Sequence, residues 1–146
     1  MTASAGRPVE DLSAKEKSLV RRAQTVRRRA YAPYSRYTVG CAIVDTEGRI
    51  FTGCNVENSS FPASICAERV AVGKMVSLGG RAIEMLVLMT SSEEPAMPCG
   101  VCRQVLFELG RDAKIISVNS RGTLYRRTSM RELFPMGFGV EELVNR

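Results

Sequence analysis

The chain has 146 residues, of which 45% are hydrophobic and 25% charged, and this composition predicts one globular domain over residues 1–146. No apolar run approaches the roughly 20 residues that span a bilayer, and the polar N-terminus does not resemble a signal peptide. Five cysteines, two of them in a Cys-x-x-Cys pair, favour a metal site over a disulfide framework. We therefore expect a cytoplasmic protein without a membrane partner.

The net charge of +6 is concentrated in residues 1–36, which hold nine Lys or Arg and three Asp or Glu, whereas residues 37–146 hold twelve of each. Most of the excess comes from arginines between positions 21 and 29. Such a run could attract nucleic acid or phosphate, but it also fits the solvated face of an amphipathic helix. We favour the solvated face, so nucleic acid is not an expected partner.

Helix and strand signals alternate along the chain. Ser13 and Glu16 form a capping box that opens a basic helix over about residues 13–31, which ends before Pro33. Two β-rich segments, 37–45 and 49–56, flank a turn and predict a hairpin. The remaining predicted elements are a helix at 65–78, a strand at 84–90, a helix at 100–109, strands at 114–119 and 123–128, and short helical pieces at 129–134 and 140–144. This alternation predicts an α/β fold with a central sheet covered by helices on both sides.

The most informative residues are three cysteines and a glutamate, in Cys66-Ala67-Glu68 and Pro98-Cys99-Gly100-Val101-Cys102. Because the chain has no histidine, a transition-metal site must use thiolates, and acid–base chemistry near neutral pH must use a carboxylate. Three protein ligands with a fourth position left for water are typical of catalytic zinc. We therefore expect Cys66, Cys99 and Cys102 to bind the metal and Glu68 to be catalytic.

Both motifs lie at the start of a predicted helix. Cys99 and Cys102 are three residues apart and share a helix face, so they can bind one ion together. The positive end of each helix dipole favours thiolates over thiols. Three thiolates on Zn²⁺ leave a net charge of about −1, which Arg69 is well placed to offset by hydrogen bonds to the ligand sulfurs.

Each of these features alone has a simpler explanation. A glutamate in a first turn often only complements the helix dipole, and an isolated Cys-x-x-Cys is more often structural zinc or redox-active. Cys41 fits a small core residue. Cys54 could complete a closed four-thiolate site, and the sequence leaves that alternative open. Together, however, the two motifs indicate a zinc hydrolase, and more narrowly a deaminase.

Further motifs extend the pattern over residues 30–138. They are Tyr31-Ala32-Pro33-Tyr34-Ser35, Val39-Gly40, Gly53-Cys54-Asn55-Val56-Glu57-Asn58, Ile65 to Arg69, Pro98 to Gln104 and Leu133-Phe134-Pro135. With these motifs the chain resembles the small homotetrameric cytidine deaminases of pyrimidine salvage. The resemblance implies a three-layer α/β/α fold with a mixed five-stranded sheet, one Zn²⁺ per chain, a homotetramer, and hydrolysis of cytidine and deoxycytidine to uridine and deoxyuridine.

The resemblance also implies roles for individual residues. Zinc would activate a water while Glu68 moves protons to the base and to the leaving amino group. The main-chain N–H of Ala67 and a carbonyl near Pro98 would contact the edge of the base.

Further residues with an implied part in substrate binding are Tyr34, Tyr37, Asn55, Glu57, Phe61 and Phe138. Asn55 and Glu57 would bind the ribose hydroxyls, and Phe138 would come from a neighbouring subunit. Tyr37 stands where the family usually has a stacking phenylalanine. Phe61 stands where a tyrosine is common near the ribose. Both keep an aromatic surface, so stacking is expected to survive.

Three other functions compete with this interpretation. A deaminase of a modified cytosine nucleoside or antibiotic would share the chemistry, but Asn55 and Glu57 favour an ordinary nucleoside. A deaminase of single-stranded nucleic acid would need a basic track beside the site, yet residues 37–146 carry no net charge. A non-enzymatic zinc module would need a fourth protein ligand, for which Cys54 is the candidate.

Overall fold

The computed structural model describes residues 6–144, so residues 1–5, 145 and 146 of the predicted domain lie outside the described part. The elements in chain order are β1 (Arg7–Pro8), α1 (Ala14–Arg27), β2 (Val39–Asp45), β3 (Ile50–Cys54), α2 (Ala67–Ser77), β4 (Ile83–Thr90), α3 (Gly100–Leu109), β5 (Lys114–Val118), β6 (Leu124–Ser129), α4 (Met130–Leu133) and α5 (Glu141–Val144). Within these residues no helix is long and apolar enough to cross a membrane.

The strands form one mixed sheet in the order β1-β6-β5-β4-β2-β3. Strands β4 and β5 run parallel, with α3 as their crossover, and the other neighbours pair antiparallel. The prediction of five strands was wrong by one. The additional strand is the two-residue β1, in which Arg7 pairs with Tyr125 and Pro8 with Leu124. So short a strand has no alternating pattern that a sequence could reveal.

Apolar side chains pack on both faces of this sheet. Along β2, Cys41 and Ile43 join the cluster under α2 and α3, whereas Ala42 and Val44 join the cluster under α1. Successive side chains of a strand point to opposite faces, so both faces of β2 are covered. This arrangement confirms the predicted three-layer α/β/α fold.

Two helices are shorter than predicted, for related reasons. The helix α1 begins at the predicted capping box but ends at Arg27 rather than near residue 31. Tyr31 instead forms a bridge with Val56, and Val56 forms a second bridge with Ile65. The second bridge keeps Ile65 extended, so α2 begins at Ala67 rather than at residue 65. The backbone is therefore extended just before Cys66, the first of the predicted metal ligands.

Candidate active site

The sulfur atoms of Cys66, Cys99 and Cys102 all lie within 4.8 Å of one another. Cys66 and Cys99 are the N-cap residues of α2 and α3, and neither side chain makes a capping hydrogen bond. Cys54 does not belong to this group, which is the one such cluster found in residues 6–144. The four-thiolate alternative was therefore wrong, and the protein contributes three thiols.

The spacing of these sulfurs fits a zinc ion. Zn–S bonds of about 2.3 Å in a tetrahedron place the sulfurs about 3.8 Å apart, and the Sγ atoms of Cys66 and Cys99 are 3.9 Å apart. Cys102 is fully buried, whereas Cys99 is exposed and both Cys66 and Cys99 line a pocket. The cluster thus has a closed floor and one open side, as a catalytic zinc site requires.

The three thiols share charge unequally. Hydrogen bonding from Cys102, with further bonds from Cys99 and Arg69, lowers the pKa of Cys66 to about 5. The same pairing with Cys66, together with burial, raises the pKa of Cys102 far above its usual value. The pairing therefore favours the ionised form of Cys66 and the neutral form of Cys102. A thiolate is the form that binds a metal.

Arg69, which the sequence predicted to offset the charge of the ligand sulfurs, lies beside this cluster. Its Nη2 donates a hydrogen bond to the Ser64 carbonyl oxygen at 3.0 Å, and the guanidinium is one of the groups that lower the pKa of the Cys66 thiol. Its buried Nε has no hydrogen-bond partner within the described residues. A buried donor that lacks an acceptor is costly, so this nitrogen points to an anionic ligand set that is completed on metal binding.

Glu68 lies in the first turn of α2 and is only 4% exposed. Burial, helped by the charge of Cys66, raises the pKa of its carboxyl to about 7. Burial also raises the pKa of the nearby Cys41 thiol, and the charge of Glu68 adds to that effect, so Cys41 is a neutral core residue. A carboxyl with a pKa near the working pH can both accept and donate a proton.

A glycine lets α2 approach the sheet closely enough to place this glutamate. A Cβ atom on Gly53 of β3 would lie 2.5 Å from both the Ala67 carbonyl oxygen and the Ala71 amide nitrogen. Those contacts are too short for any side chain. The first turn of α2, with Cys66 and Glu68, can therefore rest directly on β3.

The cluster and the glutamate open into a pocket of about 430 Å³. Its polar lining includes Tyr37, Asn55 and Glu57, which the sequence predicted as substrate contacts. The apolar lining is Val39, Leu88, Ala96 and Met97. Such a volume, mainly apolar with a few polar groups, is typical of small-molecule sites.

In this structure, Asn55 and Glu57 both hold the loop that precedes β2. The Asn55 side chain accepts from the Val39 amide at 2.8 Å and donates to the Tyr37 carbonyl oxygen at 2.8 Å. Glu57 Oε2 accepts from the amides of Tyr34 and Ser35, and Oε1 accepts from the Ser35 hydroxyl. The hydrogen bond from the Ser35 hydroxyl contributes most to lowering the pKa of Glu57. The ionised form of this carboxyl is therefore favoured.

The loop needs these bonds because its backbone is strained. Arg36 has φ of 58°, in the left-handed region that non-glycine residues rarely adopt. On its far side, the Tyr37 hydroxyl bonds Ser92 Oγ at 2.7 Å, and the Thr38 amide bonds Ser91 Oγ at 3.1 Å. The ring of Tyr37 is thereby held against the pocket from both ends.

The two main-chain groups predicted to contact the base differ in the hydrogen bonds that they already make. Ala67 is the first residue of α2 and fully buried, and its N–H has no acceptor within the helix. The Pro98 carbonyl oxygen accepts a hydrogen bond from Arg103 Nε at 2.9 Å. Since a carbonyl oxygen has two lone pairs, it can still accept a second bond.

Three predicted contact residues do not line this pocket. Tyr34 and Phe61 pack edge to face with ring centroids 5.9 Å apart, and both are exposed. Phe138 is 53% exposed, and its carbonyl oxygen accepts from Gln104 Nε2 at 2.8 Å. The chain described here therefore does not bring these rings to its own pocket.

Sequence reasoning did not identify Ser35, Ser92 and Arg103, which position the pocket. Their partners are 22, 55 and 5 residues away along the chain. No local pattern indicates the two long-range pairs. Ser35 and Arg103 both lie in motifs quoted for the family, which gave a signal for these two residues, whereas Ser92 lies in none of them.

Three clustered thiols beside a buried carboxyl, open to a small pocket on an α/β/α scaffold, are typical of a metal-dependent hydrolase site. Residues 13–118 match the family model described as the cytidine and deoxycytidylate deaminase zinc-binding region. This match covers more than half of the chain. The protein therefore belongs to the family of zinc-dependent cytidine and deoxycytidylate deaminases.

Individual relatives agree with this assignment. A cytidine deaminase of Sporosarcina psychrophila is 37% identical over 126 residues, which cover 86% of this chain and 92% of the relative. A cytidine deaminase of Mycobacterium tuberculosis is 41% identical over 114 residues, with 78% and 82% covered. The crystal structure of cytidine deaminase from Burkholderia pseudomallei superposes with a TM-score of 0.80 at 37% identity, covering 87% of this chain and all of that one.

Proposed function

We propose that this protein hydrolyses cytidine and deoxycytidine to uridine and deoxyuridine, with release of ammonia, in pyrimidine salvage. The observation that carries the proposal is the buried Glu68 carboxyl beside the three thiols at the floor of a nucleoside-sized pocket. Membership of the family gives the reaction class.

Cys66, Cys99 and Cys102 would hold one Zn²⁺ per chain. When bound, the ion supplies Lewis acidity that makes water acidic enough to lose a proton near neutral pH. Arg69 would offset the negative charge of the thiolates, since its guanidinium already helps to lower the pKa of Cys66. Without that offset, the excess negative charge would oppose the ionisation of water.

Glu68 would carry protons between the reacting groups. It takes a proton from the attacking water and delivers it to ring N3, and then passes the proton of the added hydroxyl to the amino group, which leaves as ammonia when the C4–N bond breaks and the C4 carbonyl forms. Its raised pKa of about 7 suits a group that acts as base and then as acid, because the ideal pKa lies close to the working pH. The chain has no histidine that could share this task.

The other pocket residues would orient the nucleoside. Tyr37 would stack on the base, while the N–H of Ala67 and the carbonyl of Pro98 would hydrogen-bond its edge. Asn55 and Glu57 would bind the sugar hydroxyls. The hydrogen bond that Glu57 accepts from the Ser35 hydroxyl would then be replaced by hydrogen bonds from the sugar hydroxyls.

The exposed rings of Tyr34, Phe61 and Phe138 support an assembled enzyme. We infer a homotetramer in which Phe138 of one subunit completes the pocket of another, because none of these rings lines the pocket of its own chain. The five unpaired cysteines support a cytoplasmic location, where thiols stay reduced.

The test is the loss of ultraviolet absorbance after cytidine or deoxycytidine is added to zinc-loaded protein. We expect turnover by the wild type and none by Glu68→Ala at unchanged zinc content. Glu108→Gln on the exposed side of α3 is the matched control and should remain active. Zinc-loaded wild type that turns over neither nucleoside contradicts the proposal, and modified cytosine nucleosides and single-stranded nucleic acid would then be the next substrates to assay.

A further inference from the structure

Some arginines of this chain have a carboxylate partner in the described structure, and others have none. One group is paired with carboxylates and comprises Arg7, Arg49, Arg111, Arg126, Arg127 and Arg131. By contrast, the guanidinium groups of Arg21, Arg22, Arg28 and Arg29 have neither a carboxylate partner nor a hydrogen-bond acceptor within residues 6–144. These four lie in the C-terminal half of α1 and the turn that follows, so unneutralised charge is concentrated there.

Three of these arginines line one cavity. Arg21, Arg22 and Arg29 surround a cavity of about 460 Å³ between α1 and the edge strand β3. We call it the arginine groove. The hydroxyl-bearing residues Ser18, Thr25 and Thr52 complete its polar lining, and no carboxylate lines it. Six of the seven lining residues, at positions 18, 21, 22, 25, 26 and 29, follow one face of α1 and its C-terminal end, and Thr52 borders the groove on the β3 side.

The helix itself does not neutralise this charge. The C-terminal end of a helix carries the equivalent of about half a negative charge, whereas three full positive charges line the groove. Arg27, by contrast, is already bonded to Thr38 Oγ1 at 3.1 Å and to the Ser120 carbonyl oxygen at 3.1 Å. The donors of Arg21, Arg22 and Arg29 therefore remain available for an external anion.

We propose that the arginine groove binds a phosphate-bearing anion of low molecular mass, with oligophosphate groups as the chemistry that is recognised. Guanidinium groups bind phosphate oxygens through paired, charge-assisted hydrogen bonds. The hydroxyl groups of Ser18, Thr25 and Thr52 supply further donors to the remaining oxygens. This site lies on the α1 side of the sheet, whereas the cysteine cluster lies at the start of α2 and α3.

The dimensions of the groove favour a small ligand over nucleic acid. Its volume lies in the range of small-molecule sites. A single-stranded nucleic acid would need an extended basic track with aromatic platforms for its bases. The only large apolar side chain that lines the groove is that of Val26.

The test is calorimetric titration of the zinc-loaded protein with tripolyphosphate, ATP and a thymidine 20-mer. We expect saturable binding of tripolyphosphate, one per chain, that weakens as salt is added. Arg22→Gln/Arg29→Gln should bind about tenfold more weakly, because two charge-assisted contacts are lost. The control Arg28→Gln/Lys74→Gln removes the same charge from positions outside the groove and should bind like the wild type.

The three titrated compounds distinguish which part of the ligand is recognised. Equal affinity for ATP and tripolyphosphate assigns recognition to the phosphates alone, whereas tighter binding of ATP assigns part of it to the nucleoside, and either supports the groove. Equal weakening in both double variants, no saturable binding, or binding of the 20-mer that tripolyphosphate does not displace overturns the proposal. Unchanged cytidine turnover and urea midpoint show that the variants are folded.

Discussion

The first turns of α1 and α2 contain similar residues in opposite circumstances. In α1, the Ser13 hydroxyl caps the helix, and Glu16 accepts from the Ser13 amide and from Arg127 at 2.6 Å. In α2, the cap residue is Cys66, which makes no capping bond, and Glu68 is buried. One helix start uses its polar groups for stability, whereas the other leaves them available for chemistry.

The pKa values of the two glutamates reflect this difference. Burial acts to raise the pKa of Glu16, but hydrogen bonds from Ser13 and the charge of Arg127 outweigh it and lower the pKa. At Glu68, burial dominates and the pKa rises to about 7. A glutamate in a first turn is therefore either a stabilising anion or a group that titrates near neutral pH, according to its neighbours.

The largest expected effect follows from making α2 resemble α1 at its cap. Cys66→Ser should lose bound zinc and about a thousandfold of cytidine turnover, because several kcal/mol of metal assistance are lost. In the metal-free protein, the serine hydroxyl should cap α2 and raise the free energy of unfolding by about 1 kcal/mol or less. Zinc content, turnover and urea unfolding with a chelator measure these effects.

Cys54→Ser is the control and should keep its zinc. A loss of zinc in this variant would contradict the three-ligand site.

Glu68→Gln should stabilise the metal-free protein above neutral pH. Because the folded-state pKa is raised from 4.5 to about 7, this carboxyl contributes its stability below about pH 4.5, and the contribution is lost as the pH rises through 7. The lost stability approaches about 3 kcal/mol. Urea unfolding at pH 5 and pH 8 should show the variant gaining on the wild type only at pH 8. An equal difference at both pH values would contradict the buried-carboxyl explanation.

Glu16→Gln should have the smaller and opposite effect. A lowered pKa means that Glu16 stabilises the fold above the unfolded-state pKa, and that this stability is lost as the pH falls through the folded-state pKa. At pH 7 the substitution should lower the free energy of unfolding by about 1–2 kcal/mol, with turnover per folded enzyme unchanged. The difference in unfolding free energy between the variant and the wild type should become smaller in acid. An unchanged difference at pH 3 would contradict this explanation.

Local signals predicted most of this molecule. The capping box of α1 and the spacing of Cys99 and Cys102 depend on neighbours in sequence, and both were recognised. The strand β1 was missed because two residues carry no periodicity. The partners of Glu57 and Tyr37 were missed because they depend on how the loop at Arg36 folds back across the pocket, and that path is set by tertiary contacts.

The bond between Ser35 and Glu57 bears on how strictly the enzyme would choose its sugar. Strong rejection of a substrate that lacks a hydroxyl arises when a buried polar group is left without a partner. Here the Ser35 hydroxyl already occupies Glu57 and can return to it whenever the sugar offers nothing. With the sugar role proposed above for Glu57, such an internal substitute predicts that ribose and deoxyribose are accepted alike, and that Ser35→Ala makes the enzyme more discriminating between the two.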